Sequence, residues 1–523
     1  MLGRYLKWMR VAVAVAVFLA LLVAWVDFRE VVPAAVGQTL GAVQLVPSLV
    51  ALVTGASLSL AGLVLLLLTL GGGRIYCSTL CPLGIGQDIV IRVRRWFDKK
   101  RALPFAPPVP WLRPTMLGMT ILASSLGWGG FVLALLDPYS NFGRIAAGIF
   151  RPLTVFVNNQ LVGLMEAWGG HGLYRVDPAW LGAGALLPPL LVLVGVTALA
   201  FWRERLFCNT LCPVGALLGS IARRAAFRLA PDPAACRACD RCARVCKAQC
   251  LDARAGTIDF SRCVACLNCL AVCDQGGIGY RFAWRRPAPR VGRSEAAANP
   301  QRRDFLKKSV LGVVALGLSG RAFAAGAKPV LVGPRPDNWT PAVSPPGSGG
   351  VAAFLQRCTA CHLCVSACPT GVLRPAILEF GLRGFLKPRL DFVRAFCTLE
   401  CRRCGEVCPT GAIRLPDMAT KRTTKIGEVE FFRAKCVVVT KGTDCAACSE
   451  HCPTQAVTTR PYGVNLRLPA IHAERCIGCG ACEHVCPVKP DKAIQVRGFY
   501  RHGVAQKFSE PKVTAPAARD FSF

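Results

Sequence analysis

The chain has 523 residues, 29 of them cysteine, with 53% hydrophobic residues and a formal charge of +33. Its length allows about three or four domains. An odd number of cysteines in so long a chain excludes a small all-disulfide scaffold, and the apolar content excludes a disordered chain. A mean hydropathy of +0.41 points to a membrane and away from an ordinary soluble enzyme.

Four stretches are long and uncharged enough to cross a bilayer, which takes about 20 residues. They are Trp8–Val26, Val46–Leu70, Met116–Leu136 and Trp180–Trp202. They predict an α-helical polytopic membrane domain over residues 1–225, with four crossings or with one stretch merely interfacial. Basic residues set the orientation. Arg4, Lys7 and Arg10 open the chain; Arg92, Arg94, Arg95, Lys99, Lys100 and Arg101 follow the second stretch; Arg203, Arg205, Arg223, Arg224 and Arg228 follow the fourth. The N-terminus and the return after the fourth stretch are thus expected in the cytoplasm.

This half contains a repeat. Residues 74–84, which carry Cys77 and Cys81-Pro82, match residues 205–215, which carry Cys208 and Cys212-Pro213, nearly position by position. Each copy follows an even-numbered stretch. Helix positions i and i+4 share a face, so the two C-x-x-x-C-P motifs can offer four sulfurs to one metal or cluster across a pseudo-two-fold axis. Reducible thiol pairs and small apolar packing residues are the alternatives. Thiols at both positions of both copies favour shared chemistry, and Cys77, Cys81, Cys208 and Cys212 are a candidate redox or metal site.

The other cysteines form six runs, with Cys250 left over. Cys236, Cys239, Cys242, Cys246 and Cys263, Cys266, Cys269, Cys273 read C-x2-C-x2-C-x3-C, as do Cys358, Cys361, Cys364, Cys368 and Cys476, Cys479, Cys482, Cys486. Cys397, Cys401, Cys404, Cys408 and Cys436, Cys445, Cys448, Cys452 differ in the first gap. This is the bacterial ferredoxin spacing, in which three close thiolates hold a [4Fe–4S] cube and the fourth reaches the neighbouring cluster. Structural zinc uses separated C-x2-C pairs, and disulfides between cysteines this close are strained. Cys358-Thr-Ala-Cys361-His362 also fits the C-x-x-C-H pattern of covalent haem, but it lies inside a complete ferredoxin run. Ligand exchange in the first domain, residues 226–285, groups Cys236, Cys239, Cys242 with Cys273, and Cys263, Cys266, Cys269 with Cys246. Lys247 and Asp274 stand there where proline usually follows.

A linker at 286–300 leads to Arg302-Arg303, an apolar run Ser309–Leu318 and a small-residue stretch. Residues 301–325 thus carry the regions of a twin-arginine export signal, which predicts a fifth, signal-anchor helix. A chance Arg-Arg pair in an amphipathic linker is the competing reading. After a Pro/Gly linker at 326–350, residues 351–523 hold the last four runs. From Gly326 onward 27 Lys+Arg face 15 Asp+Glu, a surplus suited to anionic clusters. Nothing indicates nucleic acid.

Together these residues resemble the quinol-oxidising ferredoxins of periplasmic nitrate reductase systems. Residues 1–285 look like the membrane NapH type, and are similar to the membrane domains of NosR regulators and CcoG assembly proteins. Residues from about 299 look like the exported NapG type, so the chain reads as a fusion. The internal signal and Cys250 depart from those patterns. Similarity to electron-transfer subunits of molybdenum oxidoreductases implies that the last four α+β ferredoxin-like runs exchange ligands first with last and second with third. This groups Cys358, Cys361, Cys364 with Cys486; Cys476, Cys479, Cys482 with Cys368; Cys397, Cys401, Cys404 with Cys452; and Cys436, Cys445, Cys448 with Cys408.

The resemblance further implies six [4Fe–4S] clusters carrying electrons from the membrane quinone pool to a periplasmic redox protein or reductase. The protein would be a multi-pass protein of the bacterial inner membrane, its first cluster domain cytoplasmic and its last four runs outside. Quinol oxidation needs a proton acceptor, and the interfacial candidates are His171, Glu166, Asp137 and Asp177. The rival reading is an assembly or regulatory reductase, with the four membrane thiols binding or reducing copper.

Overall fold

The computed structural model describes residues 2–283 and 342–506 apart from 56–59, 99–104, 106–108, 110, 178–180, 233–234, 237–238, 253–255 and 415–416. The twin-arginine segment 301–325, the linker 286–300 and most of the linker 326–350 lie outside the described residues.

The first half is helical. In chain order come α1 (Leu2–Val26), α2 (Ala34–Ala42), α3 (Leu45–Val53), α4 (Ala61–Gly72), α5 (Tyr76–Thr79), α6 (Pro82–Phe97) and α7 (Leu112–Ser125). Then follow α8 (Gly129–Leu136), α9 (Pro138–Ile145), a π-helical turn at Ala146–Phe150, α10 (Arg151–Ala167), α11 (Ala183–Arg203), α12 (Leu206–Thr210) and α13 (Pro213–Ala222). Beyond Gly3, α1 has neither Gly nor Pro to interrupt it. At ~1.5 Å per residue it extends about 37 Å, beyond the ~30 Å hydrocarbon core of a bilayer. Leu63, Leu67, Leu122, Leu161, Leu191 and Val194 are exposed. Apolar surface bared on so many helices marks contact with lipid or protein rather than water.

Among the described residues α1 and α11 are single helices long and apolar enough to cross a membrane. The pair α2 and α3, bent by 83°, makes a third if read as one span. Two of the four expected continuous spans are therefore broken. Val46–Leu70 is divided between α3 and α4, with Gly55 at φ +63° between them. The two helices pack together, and the Gly62 amide donates to the Ser48 hydroxyl over 2.6 Å. The buried Gln44 stands at the N-cap of α3: its Nε2 donates to the Leu80 carbonyl (3.2 Å) and its Oε1 accepts from the Tyr76 hydroxyl (2.9 Å). Met116–Leu136 is likewise divided between α7 and α8, turning at Gly127, φ +76°. A Cβ on Gly129 would strike Ser124. The breaks follow from small residues that let helices approach closely, a feature hydropathy does not register.

The first iron–sulfur module pairs strand Phe227–Pro231 antiparallel with Ile278–Phe282, and Leu251–Asp252 with Thr257–Ile258. Short helices Arg241–Arg244 and Asn268–Val272 pack between. The second module pairs Thr424–Phe431 with Ile494–Val504, Leu373–Pro375 with Pro388–Leu390, and Val457–Pro461 with Arg467–Ile471. The two modules meet opposite ends of α1. Arg4 pairs with Asp274 of the first at 3.4 Å, and the Trp25 indole donates to the Cys361 carbonyl of the second at 3.0 Å.

Candidate iron–sulfur sites

Local backbone explains how three thiols come to face one centre. In Cys263–Cys269 the left-handed residues are Ala265 (φ +49°) and Leu267 (φ +60°). In Cys358–Cys364 they are Ala360 (+57°) and His362 (+60°), and in Cys476–Cys482 they are Gly478 (+75°) and Gly480 (+82°). Left-handed backbone at non-glycine residues is costly and clusters at functional sites. Alternation of this kind turns successive N–H groups inward as an anion-binding nest, and a short helix then carries the third cysteine.

In the first module Cys246 lies with Cys263, Cys266 and Cys269, around a small cavity that Cys250 also lines. Cys250 Sγ sits 3.7 Å from Cys246 Sγ, and that contact pulls the Cys246 thiol down to about 6. The sequence left Cys250 without a place; its position four residues beyond Cys246, as Ala456 stands to Cys452 on a second cavity wall, is the signal that could have placed it. Cys236 and Cys239 neighbour Cys242. Cys273 ends the helix Asn268–Val272, which packs on the helix Arg241–Arg244.

The second module corrects the expected first-with-last exchange. Cys408, not Cys486, lies with Cys358, Cys361 and Cys364. Cys368, not Cys452, lies with Cys397, Cys401 and Cys404. Cys452 joins Cys476, Cys479 and Cys482 around a small cavity, and Cys486 joins Cys436, Cys445 and Cys448. The physical reason is chain proximity. Helix Leu363–Ser366 packs on Arg403–Glu406, and Ala447–Glu450 on Ala481–Val485, so neighbouring runs form one hydrophobic lobe each. The lobes touch where the Cys397 amide donates to the Cys479 carbonyl over 2.9 Å. The quartets thus follow in spatial order: Cys358's beside the helices, then Cys397's, Cys476's and Cys436's.

The Cys358–Cys364 loop rests on the membrane half. Besides Trp25, the buried Arg144 donates to the Ala360 carbonyl (3.4 Å), and a Cβ on Gly143 would collide with the Cys361 carbonyl. His362 is fully enclosed; burial drives its pKa down to about 3, and Nε2 bonds the Leu386 carbonyl at 2.7 Å. Its backbone role is that of the left-handed loop residue. Buried Lys387 bonds the Leu355 carbonyl and lies beside Cys358.

The two C-x-x-x-C-P motifs converge. Cys77, Cys81, Cys208 and Cys212 are each 5% exposed or less and share one core. The Gly84 amide donates to Cys81 Sγ (3.4 Å) and the Gly215 amide to Cys212 Sγ (3.3 Å), because each cysteine caps the helix that its proline begins. Desolvation drives the Cys81 and Cys212 thiols well above their usual range, with the other thiols of the group adding to it.

Of the four quinol-site candidates, the structure separates Asp137 from the rest. Asp137 is buried and caps α9, accepting from the Tyr139 amide (3.3 Å), the Ser140 amide (2.9 Å) and the Ser140 hydroxyl (2.6 Å). Glu166 pairs with Arg175 at 2.7 Å on the surface, and His171 and Asp177 are exposed.

Cysteine-lined cavities ringed by inward amides fit iron–sulfur clusters, and they define an iron–sulfur protein of ferredoxin type. The comparisons agree. A family model described as a 4Fe-4S dicluster domain matches residues 441–489, and 4Fe-4S binding domain models match 355–374 and both 53–104 and 185–229. The ferredoxin-type protein NapF of Escherichia coli K12 is 29% identical over 31% of this chain and 87% of its own length. The methylamine utilization ferredoxin-type protein MauM of Methylorubrum extorquens is 30% identical over 38% of this chain and 89% of its own. The ferredoxin-type protein NapG of E. coli K12 is 32% identical over 29% of this chain and 68% of its own. No solved structure matches. The chain belongs to the NapG/MauM family of ferredoxin-type proteins.

Proposed function

We propose that this protein is a membrane-bound electron conduit that oxidises quinol and passes electrons through six [4Fe–4S] clusters to a periplasmic reductase of nitrate or nitrogen-oxide respiration. When bound, the clusters supply one-electron storage and transfer; the chain supplies spacing, exclusion of water and local charge. The observation that carries the reading is the seating of the Cys358–Cys364 loop on Trp25 and Arg144. It sets the Cys358 loop against the membrane half, and the Cys397 amide, bonded to the Cys479 carbonyl at 2.9 Å, supports a continuation toward the Cys476 run. Arg144 and Lys387 put positive charge beside that entry quartet, which favours its reduced form.

Quinol releases two protons with its two electrons; in this reading Asp137, buried within electrostatic reach of Cys361, accepts one and the other passes to water. The topology that goes with it keeps the N-terminus and the first module in the cytoplasm. The second module is exported by the twin-arginine segment 301–325. The test is to add a quinol to the full chain in liposomes and follow cluster absorbance. Bleaching supports the conduit. Absence of bleaching in protein that dithionite still reduces overturns it.

A further inference from the structure

The four membrane thiols stand outside every ferredoxin run, yet their surroundings are built for negative charge. Each sulfur faces a donor. Arg74 Nη2 approaches Cys77 Sγ and Arg205 Nη1 approaches Cys208 Sγ, both at 3.7 Å, and Gln87 Nε2 reaches Cys208 Sγ at 3.3 Å. The amides of Gly84 and Gly215 serve Cys81 and Cys212. The two guanidiniums also cross between the repeats. Arg74 Nη2 donates to the Cys208 carbonyl (3.0 Å) and Arg205 Nη1 to the Cys77 carbonyl (2.9 Å). A Cβ at either glycine would meet the opposite repeat's guanidinium at 2.9 Å, so the glycines are needed for this crossing.

The charge balance is the decisive point. Arg74 is 0% exposed, and the side-chain and carbonyl groups that it bonds (Asn209, Ser261, Cys208, Cys77) include no carboxylate. Arg205 pairs with Asp88 at 2.8 Å, but Asp88 also serves Lys247 and Arg10. A buried guanidinium with no counter-charge is strongly unfavourable. Four neutral thiols or two cystines would leave it so; four thiolates around an iron–sulfur core, about −2 in total, would not. Single-ion binding fits less well. Among the described residues no three Cys, His, Asp or Glu side chains converge closely enough to hold one metal ion.

We propose that Cys77, Cys81, Cys208 and Cys212 together hold an additional iron–sulfur cluster that relays single electrons between the first module and the second. The position suits a relay. Arg74 Nη1 bonds the Ser261 carbonyl (3.2 Å) and Asn209 Nδ2 the Ala248 carbonyl (3.3 Å), both beside the Cys263 quartet. On the other side Tyr76 bonds Gln44, and in α2 Gly41 lies against Tyr139, whose charge neighbours are Cys361 and Cys408. In each transfer the donor cluster is oxidised by one electron and the acceptor reduced by one, with no bond made or broken. Binding itself releases the four thiol protons. The relay role rests on the conduit reading; the presence of the cluster does not.

The test compares anaerobically purified full-length protein with Cys77→Ser/Cys212→Ser and with Arg74→Gln. The double variant is expected to lose about four irons for a cubane or about two for a two-iron core, together with one EPR signal of the reduced protein. The remaining signals report that it has folded. Arg74→Gln is expected to keep the iron and shift that same signal to lower potential. Unchanged iron and EPR in the double variant, or stoichiometric copper or zinc in wild type that the variant loses, overturns the cluster. A cluster that is present, with quinol still reducing the first module at the wild-type rate in the variant, overturns the relay alone.

Discussion

Trp25 links the helices directly to the quartet proposed to take electrons first, and replacing it gives a sharp test. The side chain is 1% exposed. It meets Tyr139 edge-on at 5.2 Å and Phe142 at 5.9 Å, and donates to the Cys361 carbonyl. Burying an aromatic of this size removes roughly 200 Å² from water, worth about 5 kcal/mol at ~25 cal/mol per Å². With partial relaxation around an alanine, the expected loss for Trp25→Ala is about 3–5 kcal/mol. That shifts the seated-to-unseated ratio of the Cys358–Cys364 loop by about 10²- to 10⁴-fold. The second module stays attached through other contacts, among them Phe131 with Phe385 and Arg403 with Glu30, so the effect is local. Stopped-flow reduction by quinol in liposomes should slow at least tenfold, while dithionite still bleaches every cluster. Trp25→Phe keeps most ring packing and loses the hydrogen bond, at a cost of about 1–3 kcal/mol, so it should fall between. Quinol reduction of Trp25→Ala at the wild-type rate would refute the entry point.

Ligand exchange can be read by double substitution, since groups in one site are not additive. Cys358→Ser/Cys408→Ser should lose no more iron than either single variant, whereas Cys408→Ser/Cys436→Ser should lose about twice as much; the reverse pattern restores the first-with-last pairing. Cys250→Ala should leave total iron unchanged, because Cys246, Cys263, Cys266 and Cys269 remain, and should alter the EPR signal of that one cluster; loss of the cluster would make Cys250 a ligand. Glu204 is buried between Arg94 (2.6 Å) and Arg95 (2.8 Å), so Glu204→Gln strands buried charge and should cost about 3–5 kcal/mol, seen as a lower Tm. His502, bonded to the Ser344 hydroxyl at 2.9 Å, has its pKa lowered by burial to about 4. The folded state thus holds it neutral, and its contribution is complete above about pH 6.5 and lost as pH falls toward 4. Wild-type Tm should drop across that window, and His502→Gln should flatten the drop.

The six cysteine runs were legible in sequence because most of their thiols lie within a few residues of one another, and a loop of that length has little choice but to wrap one centre. The duplicated C-x-x-x-C-P motif was legible for the same reason: each pair is fixed by one helix turn and its cap. The fourth ligands were not. Whether Cys408 or Cys486 completes the Cys358 quartet depends on which lobes pack together, and spacing carries no information about that. Hydropathy found α1 and α11, whose apolar runs are uninterrupted, but it joined α3 to α4 and α7 to α8. Gly55, Gly62, Gly127 and Gly129 break those runs through close approach and backbone freedom, while remaining as uncharged as their neighbours. The crossing of Arg74 and Arg205 and the seating of Trp25 on the Cys361 loop join residues more than a hundred positions apart, so they belong to the tertiary structure alone.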